Sequence, residues 1–231
     1  MPAERTYSEV LKNGIPITLR FRAVKLFRIS VKPDGSVEAV APRRMSIGHA
    51  MSLANERADW AAQHREAFLS RPKREFSDGE TALLWGESRA LRVLPGPANA
   101  VVDGGEIIIT APEDADAASR RSALLMLYRR ELEREIPPLV AKYAAALDVA
   151  SPDWSLRDMH TRWGSCTPAR GTVRFSLLLA AKPRECLEYV VAHELTHLRV
   201  HGHGADFHAL LRSVCRAERE ASALLRAQPP I

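Results

Sequence analysis

Between Ile15 and Val40, apolar and polar residues alternate in three short runs, ITLRF, FRISV and VEAVA. Alternation of period two predicts strands with one buried face. Lys32-Pro33-Asp34-Gly35, between the second and third runs, predicts a tight turn in which Gly35 supplies the positive φ. From Ser46, a residue suited to cap a helix, the period lengthens. Ile47, Met51, Ala54, Ala58, Ala61 and Ala62 make one stripe, which predicts a single helix to about Leu69 with Pro72 barring its continuation. Two further strand-like runs, ALRVLP and EIIITAP, flank a loop containing Asp103-Gly104-Gly105. After Pro112 the pattern becomes helical. Leu124, Leu127, Tyr128 and Leu132 mark a helix over 116–135, Pro137 and Pro138 predict a break or kink, and residues 139–147 resume the run. RWGSC and TVRFS on either side of TPARG predict a hairpin. In the last predicted helix Leu187, Val191, Leu195 and Leu198 fall on one side. Pro183 suits its first turn, Glu185 complements its dipole and Gly202 is a natural stop. The final residues, QPPI, read as a frayed tail.

Strands first and helices afterwards predict an α+β fold, a β-rich N-terminal half packed on a helical catalytic half. The expected division is residues 1–115, a β-rich subdomain with one helix, and residues 116–231. A hydrophobic fraction of 46% with 26% charged residues is ordinary for a globular chain. No apolar run approaches the roughly 20 residues needed to cross a bilayer, so no membrane partner is expected. MPAERTYSEV lacks the basic and apolar regions of a secretory signal. Cys166, Cys186 and Cys215 are odd in number, widely spaced and in no C-x-x-C pair, which argues against a disulfide framework and a cysteine-only zinc site. These features predict a cytoplasmic protein with reduced thiols. The net charge of +5 suits an acidic partner, but the basic residues are scattered, as on a solvated surface.

Histidine usage is uneven: five of the eight histidines lie between residues 193 and 208, in HELTHLRVHGHGADFH. Four residues apart on a helix, His193 and His197 stand one above the other, and their imidazoles can converge on one cation. Glu194 is offset, placed to reach a ligand of that cation rather than the cation itself, which is the arrangement of the His-Glu-x-x-His zinc hydrolases. Random placement of this chain's residues would produce that pattern in only about 2% of cases. A catalytic zinc takes three protein ligands and leaves one position open. His201 continues the helical row but stands ~12 Å beyond His193 on a straight helix. His203, between Gly202 and Gly204, sits where the chain can swing back, and is preferred over His208, which follows Phe207 in an apolar stretch.

The chain resembles the YgjP-like zinc metallopeptidase domain family, related to SprT-like and WLM domains. The resemblance rests on Arg162-Trp163-Gly164-Ser165-Cys166, Glu188-Tyr189-Val190-Val191, His193-Glu194-Leu195-Thr196-His197-Leu198, and then His203 and Phe207. It extends more weakly to the N-terminal half. The family typically reads Asn-His-Ser at the third ligand and Phe-Trp after it, where this chain has Gly202-His203-Gly204 and Phe207-His208. The resemblance implies a zincin-like catalytic half with RWGSC on the rim of the cleft. There Arg162 is a candidate for binding a substrate carboxylate or phosphate, and Trp163 either lines the cleft or fills the core.

The reaction these residues predict is metal-assisted hydrolysis with one Zn(2+) per chain, held by His193, His197 and His203, and Glu194 as proton carrier. The site determines the attacking water and not the bond attacked. A peptidase is expected from the resemblance. A nucleotide phosphohydrolase on the same site is the alternative, and a nucleic-acid-associated protein-processing factor of the SprT-like kind ranks last. No zinc finger, helix-turn-helix or aromatic-basic interleaving supports a nucleic-acid partner, and the sequence does not set the oligomeric state.

Overall fold

Alternation builds the first sheet. In the computed structural model, which describes residues 5–32, 34–70 and 74–227, the chain divides after residue 73 into two units. The first unit holds β1 (Arg5–Val10), β2 (Pro16–Arg22), β3 (Arg28–Val31) and β4 (Val37–Pro42) in the order β1-β2-β4-β3. Ile17, Leu19 and Phe21 of β2 and Val37, Ala39 and Ala41 of β4 bury one face of the sheet. They share a core with α1 (Ile47–Glu56) and α2 (Ala58–Leu69), whose buried residues, Ala50, Ala54, Ala58 and Ala61, are small enough for close packing. β1 lies outside the predicted strands, because only Tyr7 and Glu9 are partly covered and its alternation is faint.

The predicted single helix is two. Arg57 leaves the helical region at ψ 10° and interrupts the run for one residue, although Ala54 and Ala58 on either side remain buried. Gly35 adopts the expected positive φ, +80°, and its N–H donates to the Lys32 carbonyl at 2.8 Å. Pro33, Pro72 and the tail QPPI lie outside the described residues. Ser46 caps α1, its hydroxyl accepting from the His49 N–H at 3.2 Å. Ser46→Ala is therefore expected to cost about 1 kcal/mol of stability. A denaturant titration that leaves the midpoint of this unit unmoved would contradict that role.

In the second unit β5 (Thr81–Leu84), β6 (Glu87–Pro95), β7 (Asn99–Asp103) and β8 (Glu106–Ala111) form a sheet of order β5-β6-β8-β7. β6 and β8, the two predicted strands, are parallel neighbours, and β7 folds antiparallel onto β8 through Gly104 and Gly105, both at positive φ. These strands belong with the helices that follow, since Ile107 and Ile109 share one core with Leu132, Ile136, Phe175 and Leu195.

The helix α3 (Ala117–Leu147) runs on through Pro137 and Pro138, so of the predicted break or kink the break does not occur. Each proline removes a backbone donor and an interior proline costs ~3 kcal/mol. Leu132 and Ile136 before the pair, and Val140 and Tyr143 after it, are each at most 3% exposed. Burial on both sides of the prolines holds the two halves in one core and outweighs the local preference. A three-stranded sheet follows: β9 (Asp153–Arg157), β10 (Gly164–Thr167) and β11 (Thr172–Ser176), in the order β10-β11-β9. β10 and β11 are the predicted hairpin. β10 is an edge strand, with β11 as its one strand partner among the described residues. The chain then enters α4 (Arg184–Thr196), α5 (Ala205–Val214) and α6 (Glu218–Ala227). The fold is α+β, as expected, and no described helix is long and apolar enough to cross a membrane.

Candidate metal centre

A buried stripe fixes the rotation of α4. Leu187, Val191 and Leu195 are at most 1% exposed, which leaves His193, Glu194 and His197 on the flank facing β10 and the loop before α5. The helix begins just after Pro183, which caps it, and ends at Thr196 rather than continuing to Gly202. The early end has a local cause. The Thr196 carbonyl accepts from the N–H groups of both Arg199 and Val200, at 3.0 and 2.9 Å, which closes the last turn. Gly202, at φ +82°, then redirects the chain.

This loop brings His203 back to the helix. Its Nε2 lies 3.1 Å from Nε2 of His193, and ring nitrogens of His193, His197 and His203 all fall within 4.8 Å of one another. Phe207, fully buried in the first turn of α5, backs the cluster with its ring centroid 4.9, 4.6 and 4.9 Å from those of the three histidines. Tyr189, one turn before His193, places its hydroxyl 3.4 Å from Nδ1 of that ring, which leaves Nε2 for the cluster. His208 turns away to Glu218, 3.2 Å from its carboxylate. His201 lies on the wall of the adjoining cavity and outside the triad.

Burial, followed by the neighbouring histidines, pushes the pKa of His193 down to about 4, and burial likewise lowers that of His197. Near pH 7 His193 is therefore neutral with a lone pair to offer. Three converging imidazoles, two with nitrogens 3.1 Å apart, form a donor set that suits zinc, a borderline-soft cation for which histidine is a common ligand. The donor chemistry fits the ion that the sequence implies.

Glu194 is 6% exposed, and burial raises its pKa to about 7, against the opposing pull of Arg162 and of a backbone hydrogen bond from Cys166. Its carboxylate rests directly on Gly164 of β10: a Cβ at that position would lie 2.5 Å from Oε1. The RWGSC motif points to this strand but not to this role of Gly164, since the contact exists only once β10 is docked beside α4. Phe207 belongs to the sequence motif, but only the fold places it behind the triad. Burial, and then Glu194, push the Cys166 thiol up to about 11, and its sulfur is not among the converging atoms. Cys186 and Cys215 are buried and free.

Two cavities open onto Glu194. The larger, about 580 Å³, is walled by the three histidines and β10. The smaller, about 300 Å³, lies between Trp163, Tyr189 and Leu225 of α6. Arg162 is exposed and borders both. Trp163 answers both expectations at once, lining the smaller cavity while its Nε1 donates to the Leu225 carbonyl at 3.4 Å and its ring packs on the core.

No curated protein matches the chain. Among solved structures, the metallopeptidase zymogen abylysin of Pyrococcus abyssi is 20% identical, covering 39% of this chain and 92% of its own, with a TM-score of 0.36. The zymogen jannalysin of Methanocaldococcus jannaschii is 22% identical, covering 40% and 96%, with a TM-score of 0.35. The profile of the YgjP-like, metallopeptidase domain matches residues 25–228, a span that takes in β3 through α6 and every residue of the centre just described. By that match the chain belongs to the YgjP-like metallopeptidase domain family.

Proposed function

We propose that this chain is a zinc-dependent peptidase in which Glu194 carries the proton from the attacking water to the leaving amine. The observation that carries the reading is a buried carboxylate clamped on Gly164 beside three converging imidazoles. His193, His197 and His203 would hold the ion. When bound, zinc lowers the pKa of water to roughly 7 and polarises the carbonyl under attack.

The remaining work falls to the chain's own residues. Burial gives Glu194 a greater proton affinity than an exposed carboxylate, which suits a group that must take a proton and return it. The Cys166 N–H holds it in place. Arg162 stands near enough to Glu194 to act on it electrostatically, and is placed to donate to a developing oxyanion or to a substrate carboxylate. β10 is an edge strand among the described residues, which favours a peptide over a nucleotide, because an extended chain can pair with the outward backbone groups that Glu194 does not take. Three free cysteines agree with a cytoplasmic setting.

The purified protein should carry about one zinc per chain. His203→Ala should surrender it to a chelator while His208→Ala keeps it, since His208 is engaged with Glu218. Retention in the first variant with loss in the second would put the third ligand elsewhere. The function itself is tested by offering zinc-loaded protein a peptide library and a panel of nucleoside triphosphates. Peptide cleavage that stops with a chelator and returns with zinc is expected. Nucleotide hydrolysis dependent on Glu194, with every peptide intact, would replace the peptidase reading with a phosphohydrolase.

A further inference from the structure

We infer that the smaller cavity beside Glu194 receives the C-terminal residue of a peptide, an apolar side chain seated among Trp163, Tyr189, Val190 and Leu225 and a free α-carboxylate held at Arg162 and Arg226. The inference rests on the peptidase reading and specifies which end of which peptide the site accepts. At about 300 Å³ the cavity is at the small end of ligand sites, room for one residue rather than a length of chain. Val190 and Leu225 are 4% and 5% exposed and, with the two aromatic rings, form an apolar wall.

The rim has the opposite character. Arg162 and Arg226 are both exposed, and neither has a carboxylate within 4.0 Å among the described residues. Several other arginines of this unit are paired, among them Arg121 with Asp158 at 2.7 Å, Arg134 with Glu131 at 2.7 Å and Arg199 with Asp148 at 3.3 Å; what distinguishes Arg162 and Arg226 is that both border this cavity. Arg162 is close enough to Glu194, and Arg226 to Tyr189, to act on them electrostatically. Two guanidiniums with no carboxylate partner among the described residues, beside an apolar wall, match a ligand with a carboxylate next to an apolar side chain, because the planar fork of Arg suits carboxylate geometry. A phosphate would satisfy the rim and leave the wall empty; an amidated or internal residue would do the reverse.

His193 and Glu194 border the same cavity, so the peptide bond of a residue seated there lies beside the proton carrier. Hydrolysis at that bond adds the water oxygen to the carbonyl carbon and breaks the C–N bond. The water's proton passes through Glu194 to the leaving nitrogen, which departs as a free amino acid.

The test is calorimetric titration of zinc-loaded Glu194→Gln protein with short peptides ending in Leu, as free acid and as amide, and with the Ala-ended acid. The Leu acid should bind about tenfold tighter than its amide, as the loss of a charge-assisted hydrogen bond implies, and tighter than the Ala acid. Adding Arg226→Gln, a surface change, should bring acid and amide within about threefold. Equal binding of acid and amide, or an acid preference that survives Arg226→Gln with Arg162→Gln, would overturn the assignment. A preference for the acid without any Glu194-dependent cleavage would sustain the pocket and sink the peptidase reading. Equal cleavage of amidated and free peptides by the parent protein would do the reverse.

Discussion

Glu194→Gln should abolish turnover while leaving the protein folded and loaded with metal, a loss of about 10²–10⁴-fold in kcat. Glutamine has the shape of glutamate and keeps an oxygen to accept the Cys166 N–H, so the contact with Gly164 survives. What it loses is the basicity that the proposed proton transfer requires. Stability should hold or rise slightly, because a neutral amide at 6% exposure avoids the cost of burying a charge. Zinc content should also hold, since the three imidazoles are untouched. Three measurements separate the outcomes: elemental analysis, thermal unfolding and peptide cleavage. Cleavage at the parental rate would show that the proton travels by another route. Loss of zinc along with activity would mean that Glu194 supports the metal rather than the chemistry.

The histidine cluster was legible in sequence to the extent that it is local. His193 and His197 owe their juxtaposition to the pitch of one helix, and Leu187, Val191 and Leu195 reveal which side of that helix is buried. His203 was reachable because glycines flank it, and a chain that must reverse uses them. Where α4 ends was not visible, since it depends on how the Thr196 carbonyl is shared between two donors. The passage of α3 through Pro137 and Pro138 was hidden for a similar reason: local propensity opposes it, and only tertiary burial on both sides overrides that. β6 and β8 were recognised as strands, but alternation says nothing of which helices a sheet will share its core with. Gly164 marks the limit most clearly. Its sequence neighbours suggested a functional strand, yet its meaning lies in a residue thirty positions away on another element.

Gly164→Ala should therefore damage catalysis although it adds one methyl group and favours a strand. Gly164 is absent from the positive-φ residues, so alanine meets no backbone strain there. The whole effect comes from the new Cβ, which would stand 2.5 Å from Oε1, 2.7 Å from Cγ and 2.8 Å from Cδ of Glu194. Real contacts of that kind do not occur, so something must move. Glu194 cannot retreat cheaply, because α4 behind it is anchored by Leu187, Val191 and Leu195. β10 is an edge strand and can shift outward, but doing so carries the Cys166 N–H away from the carboxylate. By either path the Glu194 carboxylate moves by a sizeable fraction of an ångström. Misplacement of about 1 Å can cost 10²-fold, and the overpacking itself about 1–3 kcal/mol of stability. Zinc binding should be spared, which distinguishes this variant from a ligand change. If Gly164 acts through Glu194, the double variant Gly164→Ala, Glu194→Gln should be no slower than Glu194→Gln alone. Parental kcat/KM in Gly164→Ala, or losses that multiply in the double variant, would show that the close approach of β10 to Glu194 does not govern the reaction.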